Sequence, residues 1–488
     1  MKVTSKLLFV ILLLLFIHTP KQSIATETSM KFSNILISTD ESNYLHQVEP
    51  TMALSGDGEI FIAFKNAYTF DGGGERVSFV MSPDNGESFS NPVEMPYFDP
   101  SHPSIQSDAW MQYFNGSLYF LYLESDFDTF SQMTMTQSDN YGSSFTKVSS
   151  TSALYFADKE MFAIDSDGSI YEVYDDVGSN TTILRLSRST DGGKTFHDDV
   201  NITEGNGVGP YLVPDLHNDN LYVAYTAYGN TPEESDVFFT RSGDNGDTWS
   251  KPIDINSASN GSWFTSGISG RPAIVTLASM EQDPESGRIW IAWEDTSANT
   301  TYGNYDFNVW LTYSDDNGST WADRIMVNQY TNDKQWMPDI ELDSMGNVHI
   351  AFYDESAVDS YDVKYKVYMI DSQEFTKEIT VTSASTSSVF TRPGDYLTLR
   401  LDKNDIPYIV WSDGRDGQMD VYFGKLTDSV SSSSISSTVV SSTTTSNVST
   451  NSSSDTPSSS PTISSPLPYP IASFLLLPLF YRKKYRKV

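Results

Sequence analysis

The side chains best equipped for chemistry in this chain are carboxylates, three arginines and a few aromatic rings. Ten acids, Glu124, Asp126, Asp175, Asp176, Glu294, Asp295, Asp354, Glu355, Asp413 and Asp416, follow runs of alternating aromatic and aliphatic residues. They are expected on loops that share one face. Two carboxyl groups about 5 to 9 Å apart suffice to hydrolyse a glycosidic bond, one as acid and the other as nucleophile or base. Arg271, Arg392 and Arg415 are the guanidinium groups near the same segments, and a planar guanidinium fork suits a carboxylate ligand. Asp215, Asp339, Asp395 and Tyr396 fall at or beside the expected starts of strands facing the same opening, with Glu49, Asp108 and Lys159 at equivalent positions. The rings of Tyr396 and Trp336 are candidates for stacking on sugars. An oxygen-rich ring of this kind also suits Ca²⁺, although no spacing specifies it, and the sequence names no other cofactor. The six histidines form no H-x-x-x-H pair, so no zinc site is expected, and the lack of Cys removes thiol chemistry.

The elements that must hold these residues are announced by repetition. The pattern S-x-D-x-G-x-[ST]-[FW] occurs as SPDNGESF from Ser82, STDGGKTF from Ser189, SGDNGDTW from Ser242 and SDDNGSTW from Ser314. SDNYGSSF from Ser138 is a fifth copy with Asn140 in place of the Asp. The spacing predicts tight hairpins in which Asp84, Asn140, Asp191, Asp244 and Asp316 accept hydrogen bonds from turn N–H groups, while the glycines supply unusual backbone angles. It lacks the closing acidic ligand of a twelve-residue calcium loop.

A second signal recurs seven times, a turn followed by an apolar run: GEIFIAF from Gly58, GSLYFLY from Gly116, GSIYEVY from Gly168, NLYVAY from Asn220, GRIWIAW from Gly287, GNVHIAF from Gly346 and DIPYIVW from Asp405. Runs of this length, rich in β-branched and aromatic residues, read as strands covered on both faces. A period of roughly fifty residues is the size of one four-stranded propeller blade. The prediction is an all-β, seven-bladed propeller over residues 31–427. The seventh unit stops near Leu426, and FSNILIS from Phe32 supplies the missing strand, closing the ring and hiding both edges.

The two ends carry an address. Lys2 and Lys6 precede the apolar stretch Leu7 to Ile17, and Ser23-Ile24-Ala25 offers a cleavage site, so residues 1–25 read as a secretory signal rather than an anchor. Residues 428–466 form a Ser/Thr-rich stalk; between Ser429 and Ser465, 26 of 37 positions are Ser or Thr, too polar to offset ordering entropy. Residues 467–481 read as a short hydrophobic membrane anchor, and the basic tail 482–488 as a stop-transfer signal. Sequons such as Asn115 and Asn201 fit a glycosylated cell-surface protein. Net charge sharpens the list of partners. The whole chain carries −34, and residues 26–428 hold 22 basic against 63 acidic side chains. Such a field argues against nucleic acid and favours a neutral or cationic ligand over an anionic sugar.

The repeated box is the Asp box, or BNR repeat, and the chain resembles sialidase-like Asp-box β-propellers from about Lys31 to Thr427. The resemblance implies that the boxes sit between the third and fourth strands, away from the active face, so that their Asp and aromatic residues are structural. It also implies a sialidase pattern of three arginines around a carboxylate, a Tyr nucleophile with a Glu partner, and an Asp acid/base. Arg271, Arg392 and Arg415 would form the clamp. The first-blade position, however, reads Glu49-Pro50-Thr51 where that pattern has a leading Arg. The leading expectation is therefore recognition of an extracellular glycan or surface polymer. The alternatives are an exo-acting glycoside hydrolase of sialidase type and an architectural surface-layer protein.

Overall fold

The computed structural model describes residues 29–38, 44–68, 74–98, 105–126, 131–178, 181–197, 199–227, 236–255, 277–296, 307–329, 334–357, 360–387 and 394–429. The segments read as signal, anchor and basic tail lie outside these residues, as does the stalk beyond its first two positions. No helix among the described residues is long and apolar enough to cross a membrane.

The strands form seven antiparallel sheets, each starting with an inner strand and ending with an outer one. The inner strands are His46–Leu54, Ile105–Phe114, Ala157–Ile164, Gly207–Pro214, Ser279–Gln282, Gln335–Leu342 and Thr398–Leu401, numbered here as blades 1 to 7. Blade 7 is closed by the chain start. Ser29–Leu36 pairs antiparallel with Asp420–Ser429, from Ser29 opposite Ser429 to Leu36 opposite Tyr422. The N-terminal strand thus takes the outer place that the last repeat lacks.

Alternation in the second strands explains how the ring is held. In blade 5, Ile289, Ile291 and Trp293 pack with residues of blade 4 such as Tyr222 and Phe239, whereas Trp290 and Ala292 pack with Ile350 and Phe352 of blade 6. All five side chains are fully buried. The same division gives each of the seven seams its own apolar cluster. The core is therefore a ring of inter-blade layers, and second strands such as Ile60–Ala67 and Pro407–Asp413 are buried on both faces.

The five boxes sit on hairpins between the third and outer strands of blades 1 to 5. In blade 4, Ser242 Oγ donates to Asp244 Oδ1 at 2.7 Å and accepts from Gly246 N at 2.8 Å, while Thr248 N and Oγ1 donate to the Asp244 carboxylate at 2.8 and 2.6 Å. Asp84, Asp191 and Asp316 repeat the arrangement. Asn140 preserves it by reversing one bond: its Oδ1 accepts from Ser138 and from Ser144 N, and its Nδ2 donates to Ser144 Oγ at 2.9 Å. The glycine is obligatory for two reasons at Gly318, where φ is 76° and a Cβ would stand 2.0 Å from the Phe239 ring of the preceding blade.

Candidate functional site at the channel mouth

Five inner strands carry the same irregularity. The register shifts by one residue at their starts, and Glu49, Asp108, Lys159, Gly209 and Met337 adopt left-handed φ values between 47° and 62°. Four of these are not glycine, so the bend is held against an intrinsic cost of about 1–3 kcal/mol each. A bulge re-aims the side chain that it carries. Here it gathers charged groups of different blades at one end of the channel.

Lys159 of blade 3 is the centre of that cluster. Its Nζ lies 2.5 Å from Asp395 Oδ2, which precedes the inner strand of blade 7, and 3.7 Å from Asp108 Oδ1 of blade 2. Tyr396 Oη donates to Asp108 Oδ1 at 3.1 Å, and the Tyr396 ring centroid is 5.5 Å from the ammonium. Asp158 Oδ1 accepts from Lys159 N at 3.1 Å. Blade 1 adds a close ion pair between Lys65 and Glu49. Lys159, Asp108 and Asp395 are buried, whereas Asp158 and Tyr396 keep partial exposure.

The electrostatics split the acids. Burial opposes ionisation of Asp108, but Lys159, Lys65 and the Ser107 hydroxyl outweigh it and hold this carboxyl below its usual range. Burial, with Asp108 and Asp395 nearby, pushes Asp158 up despite Lys159. Glu160 and Asp175 are driven well up by burial, aided by Asp108 and Asp158. Burial works against the Lys159 charge, yet Asp395, Tyr396, Asp158 and Asp108 more than compensate, so the ammonium persists. Burial keeps the Tyr396 phenol neutral far above its ordinary value.

The other sequence candidates go elsewhere. Asp215 lies at the far end of its blade, in the turn between inner and second strands. There it accepts from His217 N at 3.0 Å, Asn220 Nδ2 at 2.7 Å, Tyr222 Oη at 2.8 Å and Gln282 Nε2 at 3.0 Å. Burial opposes these bonds, which nevertheless hold its carboxyl at about 2. Asp165, Asp283, Asp343 and Asp402 occupy the equivalent turns, so Asp215 belongs to a second series of turn aspartates. Asp339 joins three blades, accepting from Ser279 Oγ and Leu399 N at 2.8 Å each and standing 3.3 Å from Arg400 Nη1. Arg415 is at the rim of blade 7, held by Asp413 at 2.5 Å, Ser383 Oγ at 2.7 Å and Asn34 Oδ1 at 3.2 Å. Arg271 and Arg392 lie outside the described residues. Trp336 cannot stack on a ligand: it is 1 % exposed and packs on Tyr353 within the seam of blades 6 and 7.

Most of the ten acids expected on loops are strand ends instead. Glu124, Asp175, Asp176, Glu294, Asp295, Asp354 and Asp413 are buried. Asp176 pairs with Arg185 at 2.6 Å and Asp295 with Arg324 at 2.5 Å. Asp175 and Glu294 accept the bulge N–H of the next blade, from Gly209 at 3.0 Å and Met337 at 3.1 Å. The alternating pattern runs longer than the apolar letters suggest, because the last position of a second strand can hold an acid that caps its neighbour. Among the described residues no three acidic or histidine side chains are arranged to hold a metal ion.

Sequence reasoning gave Lys159 and Asp108 only as strand starts and passed over Asp158, Glu160 and Arg400. A lone Lys inside a predicted inner strand was the available signal for the first.

No model of a known protein family matches the chain, and no curated protein matches it. Solved structures do share its architecture. A polysaccharide lyase, an ulvan lyase bound to a glucuronate–sulfated rhamnose unit, superposes with a TM-score of 0.50 at 11% identity, covering 78% of this chain and 94% of that one. A Penicillium chrysogenum α-L-arabinanase complexed with arabinobiose gives 0.42 at 12% identity, covering 82% and 98%. A Hadza microbial sialidase gives 0.45 at 13% identity, covering 63% of each chain. At these identities the likeness is one of fold: the chain is a seven-bladed β-propeller, an architecture shared with glycan-acting enzymes.

Proposed function

We propose that the protein recognises an extracellular glycan at the channel mouth, displayed from the cell surface by its Ser/Thr-rich stalk and C-terminal anchor. The observation that carries this is the convergence of Lys159, Asp108, Asp395 and Tyr396 from three blades on one opening. Sugars are bound by fixed donors and acceptors beside an aromatic face. This cluster supplies an ammonium, carboxylates and a part-exposed phenol whose positions are set before any ligand arrives. The ulvan lyase that shares this architecture supports the same reading. The test is a glycan array probed with the intact protein and with Tyr396→Phe, which loses the donor to Asp108 while keeping the ring. Binding that weakens in the variant supports the site; array silence of the wild type refutes it.

A second reading, a glycoside hydrolase, is favoured by one measurement. Asp108 and Asp395 both reach the same ammonium, at 3.7 and 2.5 Å, so these oxygens stand no further apart than the sum of those distances. That fits the roughly 5–5.5 Å of retaining enzymes better than the roughly 6.5–9.5 Å of inverting ones. Asp158, beside the same lysine, is shifted in the opposite direction from Asp108, so Asp108 is the member suited to act as the nucleophile. The neutral phenol of Tyr396 does not suit it as nucleophile. Release of aryl alcohol from a panel of aryl glycosides, sialosides included, and its loss in Asp108→Asn would establish this reading over simple binding.

A further inference from the structure

The channel mouth holds more carboxyl groups than cations. Five carboxylates, Asp108, Asp158, Glu160, Asp175 and Asp395, surround or adjoin the single ammonium of Lys159. Lys65, the other cation of the cluster, is already engaged by Glu49. Glu160 is the informative member. It is 3 % exposed, and neither of its carboxylate oxygens has a hydrogen-bond partner on another residue. Glu160 follows Lys159 directly in the inner strand of blade 3, within the same bulge, and Asp108, Asp158 and Lys159 are the charged groups that bear on it. A buried carboxyl without a partner must either hold a proton or acquire a positive neighbour.

Two members of the cluster meet solvent. Asp158 and Tyr396 are part exposed at its edge, and the Tyr396 ring, which already lies 5.5 Å from one ammonium, presents a face suited to another cation. Lys159 cannot relieve Glu160, because Asp395 and Asp108 hold it.

We infer that the channel mouth selects glycans bearing a protonated amine, that is amino sugars, over neutral or anionic ones. This deepens the glycan reading and rests on it. An ammonium about 4 Å from a carboxylate gains about 4 kcal/mol of Coulomb energy at the effective dielectric of a protein surface, before desolvation is subtracted. A sugar acid meets the same field with the opposite sign. N-acetylation removes the charge while leaving the ring and linkage unchanged, which isolates the term.

The experiment compares glucosamine oligomers with N-acetylglucosamine oligomers of equal length, binding to the intact protein at a pH where the free amine is protonated. The expected result is a preference of roughly tenfold or more for the amine form, corresponding to about 1.4 kcal/mol, weakening as salt is added. Glu160→Gln, near-isosteric in its buried position, and Asp158→Asn, at the part-exposed edge, should each narrow that ratio. Equal binding of the two oligomers, or preference for the acetylated one, overturns the inference and leaves the glycan reading standing. A ratio unchanged in both folded variants overturns the assignment to this cluster. Failure of both oligomers and of every glycan on an array brings down the glycan reading itself.

Discussion

Lys159 and Asp395, 236 positions apart in sequence, form a 2.5 Å buried ion pair that ties blade 3 to blade 7 across the channel mouth. Two blades that share no seam are thereby fixed relative to each other. The positions of both groups depend on ring closure, and any ligand site built on them inherits the rigidity of the whole ring.

Removing one partner of that pair should be costly. Lys159→Met leaves Asp395 and Asp108 buried without their cation, an arrangement that typically destabilises by about 3–5 kcal/mol. The double variant Lys159→Met/Asp395→Asn should recover part of that loss, since the stranded charge is also removed. Chemical denaturation of these two variants and of Asp395→Asn alone measures the coupling; strictly additive losses would mean that the pair is not energetically linked.

The blades were legible because a repeat multiplies weak signals. The apolar runs at Gly58, Gly116, Gly168, Asn220, Gly287, Gly346 and Asp405 each fall on a second strand, and alternation within a strand such as Ile289–Thr296 serves two seams at once. The site was less legible because it depends on backbone conformation that no side-chain pattern encodes. The left-handed residues Glu49, Asp108, Lys159 and Met337 share no residue type, and the bulges shift the inner strands by one position relative to an unbroken alternation. Counting back from the second strand across a turn of variable length consequently placed Asp215 at the wrong end of its blade. Arg415 looked available because its loop is polar, but the loop returns to the chain's own N-terminal strand through Asn34.

That N-terminal strand supports the next prediction. Phe32 packs edge-on against Tyr365 at 5.3 Å, Asn34 Nδ2 donates to Val381 O at 2.8 Å, and Ile37 is 2 % exposed. Deleting residues 29–38 removes this packing, worth about 1.5–3 kcal/mol for each large apolar side chain, and uncovers the edge of Asp420–Ser429. The truncated protein should melt at a clearly lower temperature and self-associate in size-exclusion chromatography. An unchanged Tm with a monomeric profile would show that the ring is closed by something else.

The pH dependence of stability follows from two opposed groups of carboxylates. Burial pushes Glu172 and Glu294 up to about 8 and Glu341 up to about 7. A folded-state value raised above the unfolded one, about 4.3 for Glu, contributes stability that is complete below the unfolded value and is lost as pH rises through the folded one. The box aspartates act in the other direction. The Thr195 backbone and hydroxyl hold Asp191 down at about 2, so its contribution is present above the unfolded Asp value, about 3.9, and disappears as pH falls towards 2. Stability should therefore peak on the acidic side of neutrality and decline between pH 5 and pH 8, in contrast to a protein whose acids are mainly paired. Glu172→Gln isolates the first effect: it removes a group that must ionise while fully buried, so the variant should match the wild type near pH 4 and exceed it at pH 8 by an amount on the order of a few kcal/mol. Thermal melts of both proteins across pH 3 to 8 check this, and a wild-type Tm that climbs from pH 5 to pH 8 would contradict the assignment of these buried acids.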